Sequence, residues 1–253
     1  DQYECVPAMD VGNITFHNWK KTDRGSLNFI QALTESCDTW FYQVGIQTGA
    51  GPILDWAAKL GYGTKCGIPL KGEADGRLPN DEYMKATHGR KFLNGDIANL
   101  SIGQGDILTT PLQMAQSMAI VANGGTFYQT RLVEQVQTVS NEIVAAYSVR
   151  AKKTIDASPM VMEQIHTAMV DAVNAGAGTA HQASLDKVSV AGKTGTAEGI
   201  PGVVNNNAWF TGFAPAQDPQ VVVSIVMSNV DIATGAQLTS PNASNLIEAV
   251  LNK

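Results

Sequence analysis

Val188-Ser189-Val190-Ala191-Gly192-Lys193-Thr194-Gly195-Thr196-Ala197 is where the hydrophobic pattern of the chain changes period. Before Lys187 the apolar residues recur at helical spacing. From Val188 they alternate. The stretch predicts a short apolar strand, 188–191, running into a Lys and a Thr bracketed by glycines. Gly192 and Gly195 have no Cβ, so another backbone or a ligand can come close. Lys193 offers a cation and Thr194 a hydroxyl, a pair suited to a carboxylate, and free N–H groups nearby suit an oxyanion. A polar turn with a solvated lysine fits the tripeptide alone equally well. A phosphate loop does not, because no glycine stands at the required gap before Gly192.

Outward from this stretch, Ala208 to Ala214 alternates and Val221 to Met227 is nearly all apolar, giving two further strands. A short helix from Ser240-Pro241 to Leu251 closes the chain. Upstream, a helix is expected from Ser26 through Phe29, Leu33, Trp40 and Val44, and another from Pro52 to Leu60. Residues 63–99 read as a long surface loop with short elements. Thr110-Pro111 with Gln113 has the form of a capping box, and Asn123-Gly124-Gly125 ends that helix. Ser158-Pro159 starts one more, through Val173. The expected architecture is α+β: residues 1–185 mainly helical, 186–253 antiparallel strands and a final helix.

The chain of 253 residues is 44% hydrophobic and 16% charged, with a net charge of −6 that argues against a nucleic-acid partner. No run approaches the roughly 18 apolar residues that span a bilayer. The opening Asp1-Gln2-Tyr3-Glu4-Cys5 has no leader character, so a membrane anchor is expected outside the sequence. Cys5, Cys37 and Cys66 are too scattered for a disulfide framework or zinc site. Idle or buried thiols are expected; one bridge with one thiol left over is the alternative.

Two more segments carry polar groups. Ser36-Cys37-Asp38 interrupts a helical stripe with a hydroxyl and a carboxylate that suit proton relay and amide binding. A plain helix surface fits the short motif as well. Leu100-Ser101-Ile102-Gly103-Gln104-Gly105 feeds the capped helix at Thr110 and reads as a tight loop without a catalytic group.

The ordered set resembles the transpeptidase domain of class B penicillin-binding proteins. It comprises Ser36-x-Asp38, Gly103-Gln104-Gly105 with Thr110-Pro111-Leu112-Gln113, and Lys193-Thr194-Gly195-Thr196-Ala197. Cys5-Val6-Pro7, His17-Asn18-Trp19-Lys20-Lys21, Gly178-Thr179-Ala180 and Trp209-Phe210-Thr211-Gly212-Phe213 also match, so the likeness spans essentially the whole chain. Ser36-Cys37-Asp38-Thr39-Trp40-Phe41-Tyr42 is most similar to the elongation branch, where Asp often replaces the usual Asn.

The resemblance implies a penicillin-binding, serine β-lactamase-like fold, truncated on its N-terminal side, and acyl transfer through a serine ester. It implies that Lys193 and Thr194, with Gly195 between strand neighbours, hold the terminal carboxylate of a D-Ala-D-Ala stem peptide or a β-lactam. The Thr196 N–H becomes half an oxyanion hole, Ser36 a proton shuttle, and Asp38 a contact to substrate and to the catalytic lysine. It implies no metal or organic cofactor. Its setting is the outer face of the cytoplasmic membrane, with a membrane-embedded glycan polymerase and other cell-elongation proteins as partners.

One departure stands out. The family's nucleophile lies in a Ser-x-x-Lys motif upstream of the Ser-x-Asn segment. Here the match is Ser184-Leu185-Asp186-Lys187, in the wrong order, and is read as coincidence. The nucleophile is therefore expected outside this sequence, and the chain is read as a fragment that is inactive alone. A non-catalytic or sensor-type penicillin-binding module is the competing reading, with an unrelated carboxylate-binding domain behind it.

Overall fold

The structure is a computed structural model describing residues 1–199, 206–230 and 235–252. It opens with β1 (Gln2–Glu4), β2 (Ala8–Val11), β3 (Ile14–His17) and β4 (Ser26–Asn28), with β1 paired to β4 and β2 to β3. Helices α1 (Phe29–Glu35), α2 (Asp38–Thr48), α3 (Ala50–Lys59), α4 (Asp81–His88), α5 (Asn94–Ser101) and α6 (Pro111–Ala122) follow. Then come β5 (Thr126–Tyr128), β6 (Gln135–Gln137), β7 (Ile143–Ala146) and β8 (Ala151–Thr154), with β5 paired to β8 and β6 to β7. After α7 (Pro159–Asn174) and a 3₁₀ turn at His181–Ala183 come β9 (Ala191–Ala197), β10 (Asn206–Ala214), β11 (Val221–Val230) and α8 (Gly235–Leu251).

The main sheet is antiparallel, in the order β11-β10-β9, so β9 lies at an edge. Helices cover both faces. On one, Ala243 and Ile247 of α8 pack on Phe210 and Ala214; on the other, Phe213 meets Met118 of α6 and Met169 of α7. Burial on both sides explains why β11 is a nearly continuous apolar run rather than an alternating one.

Several expectations are corrected. The helix expected through Ser26–Val44 is three elements. Ser26–Asn28 pairs with β1, and Asn28 caps α1, its Oδ1 accepting from Gln31 N at 3.0 Å. The chain then breaks at Ser36, which adopts the left-handed conformation (φ 56°, ψ 48°), before α2 begins at Asp38. Residues 63–99 are not simply loop. They contain α4 and the start of α5; Asn80 Oδ1 caps α4 by accepting from Tyr83 N at 2.8 Å, and Asp96 accepts from Leu93 N at 2.8 Å to start α5. Both helices have eight residues, too few for a clear apolar stripe. The strand expected at 188–191 is β9, which begins at Ala191 and carries Lys193 to Ala197 itself. The last helix starts earlier than expected and encloses Pro241.

The expectation of three idle thiols also fails. Cys5 and Cys37 form a disulfide across 32 residues, with Cα atoms 6.1 Å apart, and Cys66 is the buried thiol left over. Tertiary packing brings this pair together: both are buried in one cluster with Leu27, Ala32 and Trp40. Spacing alone carries no such information.

Candidate active site

The site forms where the α1–α2 corner meets the outer edge of β9. Helix α1 packs on α7, with Thr34 Oγ1 donating to Ala168 O at 3.3 Å, and α7 packs on β9 through the sheet core. This stack delivers Ser36 to Lys193. Lys193 Nζ donates to Ser36 Oγ at 2.8 Å and to Thr194 O at 2.9 Å.

The corner itself is built by residues from the preceding segment. Asn18 is buried; its Oδ1 accepts from Asp38 N at 3.1 Å, while its Nδ2 faces Cys5 Sγ at 3.6 Å and Cys37 Sγ at 3.8 Å. The Trp19 indole donates to Ser36 O at 2.9 Å and Glu35 O at 3.1 Å, carbonyls left open where α1 stops. Trp19 N donates to Asp38 Oδ2 at 3.2 Å. Below them Glu35 is buried and pairs with Arg24 at 2.7 Å and Lys20 at 3.0 Å. The Arg24 hydrogen bond, chiefly, holds its carboxyl below the usual range.

Asn18, Trp19 and Glu35 are thus structural parts of the site that the sequence reading assigned no role. The quoted His17-to-Lys21 segment was the available signal for Asn18 and Trp19.

Charge in the site is balanced against burial. Burial pushes Asp38 up to about 6, and Glu198 adds to this, while the Trp19 N–H, Lys193 and Lys21 oppose it. Burial pulls Lys193 down to about 8, with the Asp38 charge opposing. Tyr42, beside them, is also raised by burial and then by the Asp38 and Glu198 charges. Desolvation disfavours both ions more than their mutual attraction favours them.

The rest of the expected strand residues line the same edge. Thr194 Oγ1 lies 3.1 Å from Thr179 Oγ1, so Gly178-Thr179-Ala180 supports the strand directly. Thr196 O accepts from Gln104 Nε2 at 3.0 Å, which brings in the Gly103-Gln104-Gly105 loop. Gly195 is exposed, and a Cβ there would meet nothing nearer than Trp209 Cβ at 3.9 Å. Ser36, Asp38, Lys193, Thr194, Gly195 and Thr196 therefore share one locality.

Ser184 and Lys187 do not join it as a helical pair: both are exposed, and Ser184 ends the 3₁₀ turn. Among the described residues no group of three His, Cys, Asp or Glu side chains is placed to hold a metal ion. No described helix is long and apolar enough to cross a membrane.

Comparison with known proteins identifies the family and the fold. Residues 1–248 match the penicillin binding protein transpeptidase domain. The peptidoglycan D,D-transpeptidase MrdA of Haemophilus influenzae is 30% identical over 254 residues, covering 94% of this chain and 38% of that protein. Among solved structures, Pseudomonas aeruginosa PBP2 in complex with WCK 5153 has a TM-score of 0.85 at 26% identity, covering 100% of this chain and 56% of the other. Penicillin-binding protein A from Mycobacterium tuberculosis, solved as an imipenem acyl-enzyme complex, has a TM-score of 0.83 at 27% identity, with 99% and 55% covered. The chain thus spans well under half the length of the curated relative, and its α+β architecture is that of the penicillin-binding, β-lactamase-like fold. The chain belongs to the penicillin-binding protein transpeptidase domain family.

Proposed function

We propose that this chain is the substrate-gripping part of a peptidoglycan D,D-transpeptidase of the class B, elongation type. The donor is a stem peptide ending in D-Ala-D-Ala, or a β-lactam in its place. The observation that carries the reading is the 2.8 Å contact between Lys193 Nζ and Ser36 Oγ, which joins residues 157 apart.

In this mechanism the donor lies along β9. Lys193 and the Thr194 hydroxyl, itself supported by Thr179, hold the terminal carboxylate. The carbonyl is attacked by a serine from outside residues 1–253, and the Thr196 N–H holds the oxyanion that forms. Collapse of the adduct breaks the C–N bond and leaves a serine ester. The attacking serine passes its proton to the lysine paired with it, and that proton replaces the one Ser36 gives to the departing D-Ala amine, so Lys193 stays charged on the carboxylate throughout. An amine from a second stem peptide then displaces the ester. Asp38 orients the donor peptide and the lysine partnered with the nucleophile. The wider setting proposed is the outer face of the cytoplasmic membrane, beside a glycan polymerase and other cell-elongation proteins.

The test is labelling with a fluorescent penicillin. The full-length protein acquires label on a serine outside 1–253, and residues 1–253 alone acquire none. Label on Ser184 in either preparation would overturn the proposal.

A further inference from the structure

We propose that the Gln104 carboxamide is a built-in stand-in for a donor peptide N–H: it occupies the Thr196 carbonyl, and the incoming donor must displace it. The inference rests on the functional reading above and deepens it.

Among the described residues, strand β9 pairs with β10 on one side only. The outward carbonyls of such an edge are docking points for an extended peptide. At Thr196 that position is already taken: Gln104, 92 residues away in sequence, donates Nε2 to Thr196 O at 3.0 Å. A carboxamide N–H is chemically the donor that a peptide bond offers, so the side chain and a substrate amide compete for one oxygen. This oxygen belongs to the residue whose N–H is assigned to the oxyanion, so the plug stands beside the reacting carbonyl.

The loop holding Gln104 is pinned, while the side chain is not. Gln104 N donates to Asn99 O at 2.9 Å. Two residues on, Asp106 accepts from Tyr83 Oη at 3.1 Å and pairs with His88 Nε2 at 2.8 Å, and its carbonyl accepts from Arg77 Nε at 2.7 Å. The flanking Gly103 and Gly105 adopt φ of 76° and 85°, which set the tight turn. By contrast, the Gln104 side chain is only half-buried and makes no other hydrogen bond among the described residues. It can leave Thr196 by rotating its own bonds, without moving the backbone.

The experiment compares donor turnover by the full-length protein with its Gln104→Ala and Gln104→Asn variants. Asn keeps the amide but is one methylene too short to reach. Both variants are expected to lower KM for an acyl-D-Ala-D-Ala donor roughly three- to tenfold, the worth of one displaced neutral hydrogen bond, with kcat unchanged. An unchanged or raised KM, or a fall in kcat, would mean that Gln104 only braces β9, and the inference fails. A wild-type protein that turns over no donor and takes up no penicillin would sink the functional reading as well.

Discussion

Lys193 Nζ and Ser36 Oγ are hydrogen-bonded at 2.8 Å across the seam between the helical corner and the sheet edge. Because the ammonium donates, the Ser36 hydroxyl proton remains free to point toward a departing amine. Ser36→Ala is therefore expected to slow acylation of the full-length protein by roughly 10²- to 10⁴-fold, the usual range for a positioned proton donor. Lys193→Ala should do the same, and the double variant should be little worse than either, since the two act as one unit. Stopped-flow acylation rates decide it; additive losses would separate the two residues.

The lysine also sets an alkaline limit. With a pKa lowered to about 8, Lys193 is charged below that pH and loses its proton as pH rises through it. Affinity for the donor carboxylate should fall with it, so KM climbs above about pH 8. Lys193→Arg stays charged throughout this range, and its KM is expected to be flat to pH 9 even if its absolute value is poorer. A wild-type KM that is flat across pH 7–9 would remove Lys193 from carboxylate binding.

Asp38 gives the opposite signature in stability. Its folded pKa of about 6 lies above the ordinary 3.8, so the fold favours the protonated acid. That contribution is complete below pH 3.8 and is lost as pH rises through 6. Asparagine has the same shape and no charge to desolvate. Asp38→Asn should therefore be more stable than wild type at pH 7.5, by on the order of 1–3 kcal/mol, and no more stable at pH 3.5. Thermal melts at the two pH values test this, and an equal shift at both would refute it.

What could be read from residues alone divides along physical lines. The capped helix at Thr110 was legible because its signals are local: Thr110 Oγ1 accepts from Gln113 N at 3.1 Å, and Gln113 Oε1 from Thr110 N at 2.9 Å. The three strands were legible from their period and from apolar runs that two helical layers bury. The break at Ser36 was not, because a serine in the left-handed region leaves no glycine to mark it. Its support comes from Trp19 and Asn18, which are remote in sequence. The same holds for the site: its motifs were recognisable by family resemblance, but nothing in their spacing says that Ser36, Thr179 and Gln104 converge on one strand.

The disulfide adds a redox dependence to that corner. Cys37 lies between Ser36 and Asp38 and is bonded to Cys5, with Asn18 packed against both sulfurs. Cross-linking a loop of this size typically stabilises a fold by about 2–4 kcal/mol. The Cys5→Ser/Cys37→Ser protein should lose about 2–4 kcal/mol of stability, melt at a lower temperature and acylate more slowly, because Ser36 loses one of its anchors. If reducing agent changes neither property of the wild type, the bond is idle.

The two glycines of the signature stretch should part company on substitution. A Cβ on Gly192 would come within 2.5 Å of Phe210 Cζ, in the buried layer under α8. Gly192→Ala must push that ring out of place and is expected to cost about 1–3 kcal/mol by overpacking. At Gly195 the nearest atom would be 3.9 Å away, and no positive φ forbids a side chain. Gly195→Ala should therefore fold as stably as wild type, within about 0.5 kcal/mol. Its methyl would instead stand beside Trp209 on the face of β9 that carries Lys193, crowding the bound donor and raising KM without altering the melting temperature. Stability and donor binding measured side by side separate these roles. Destabilisation by both substitutions would mean that Gly195 serves the sheet rather than the ligand.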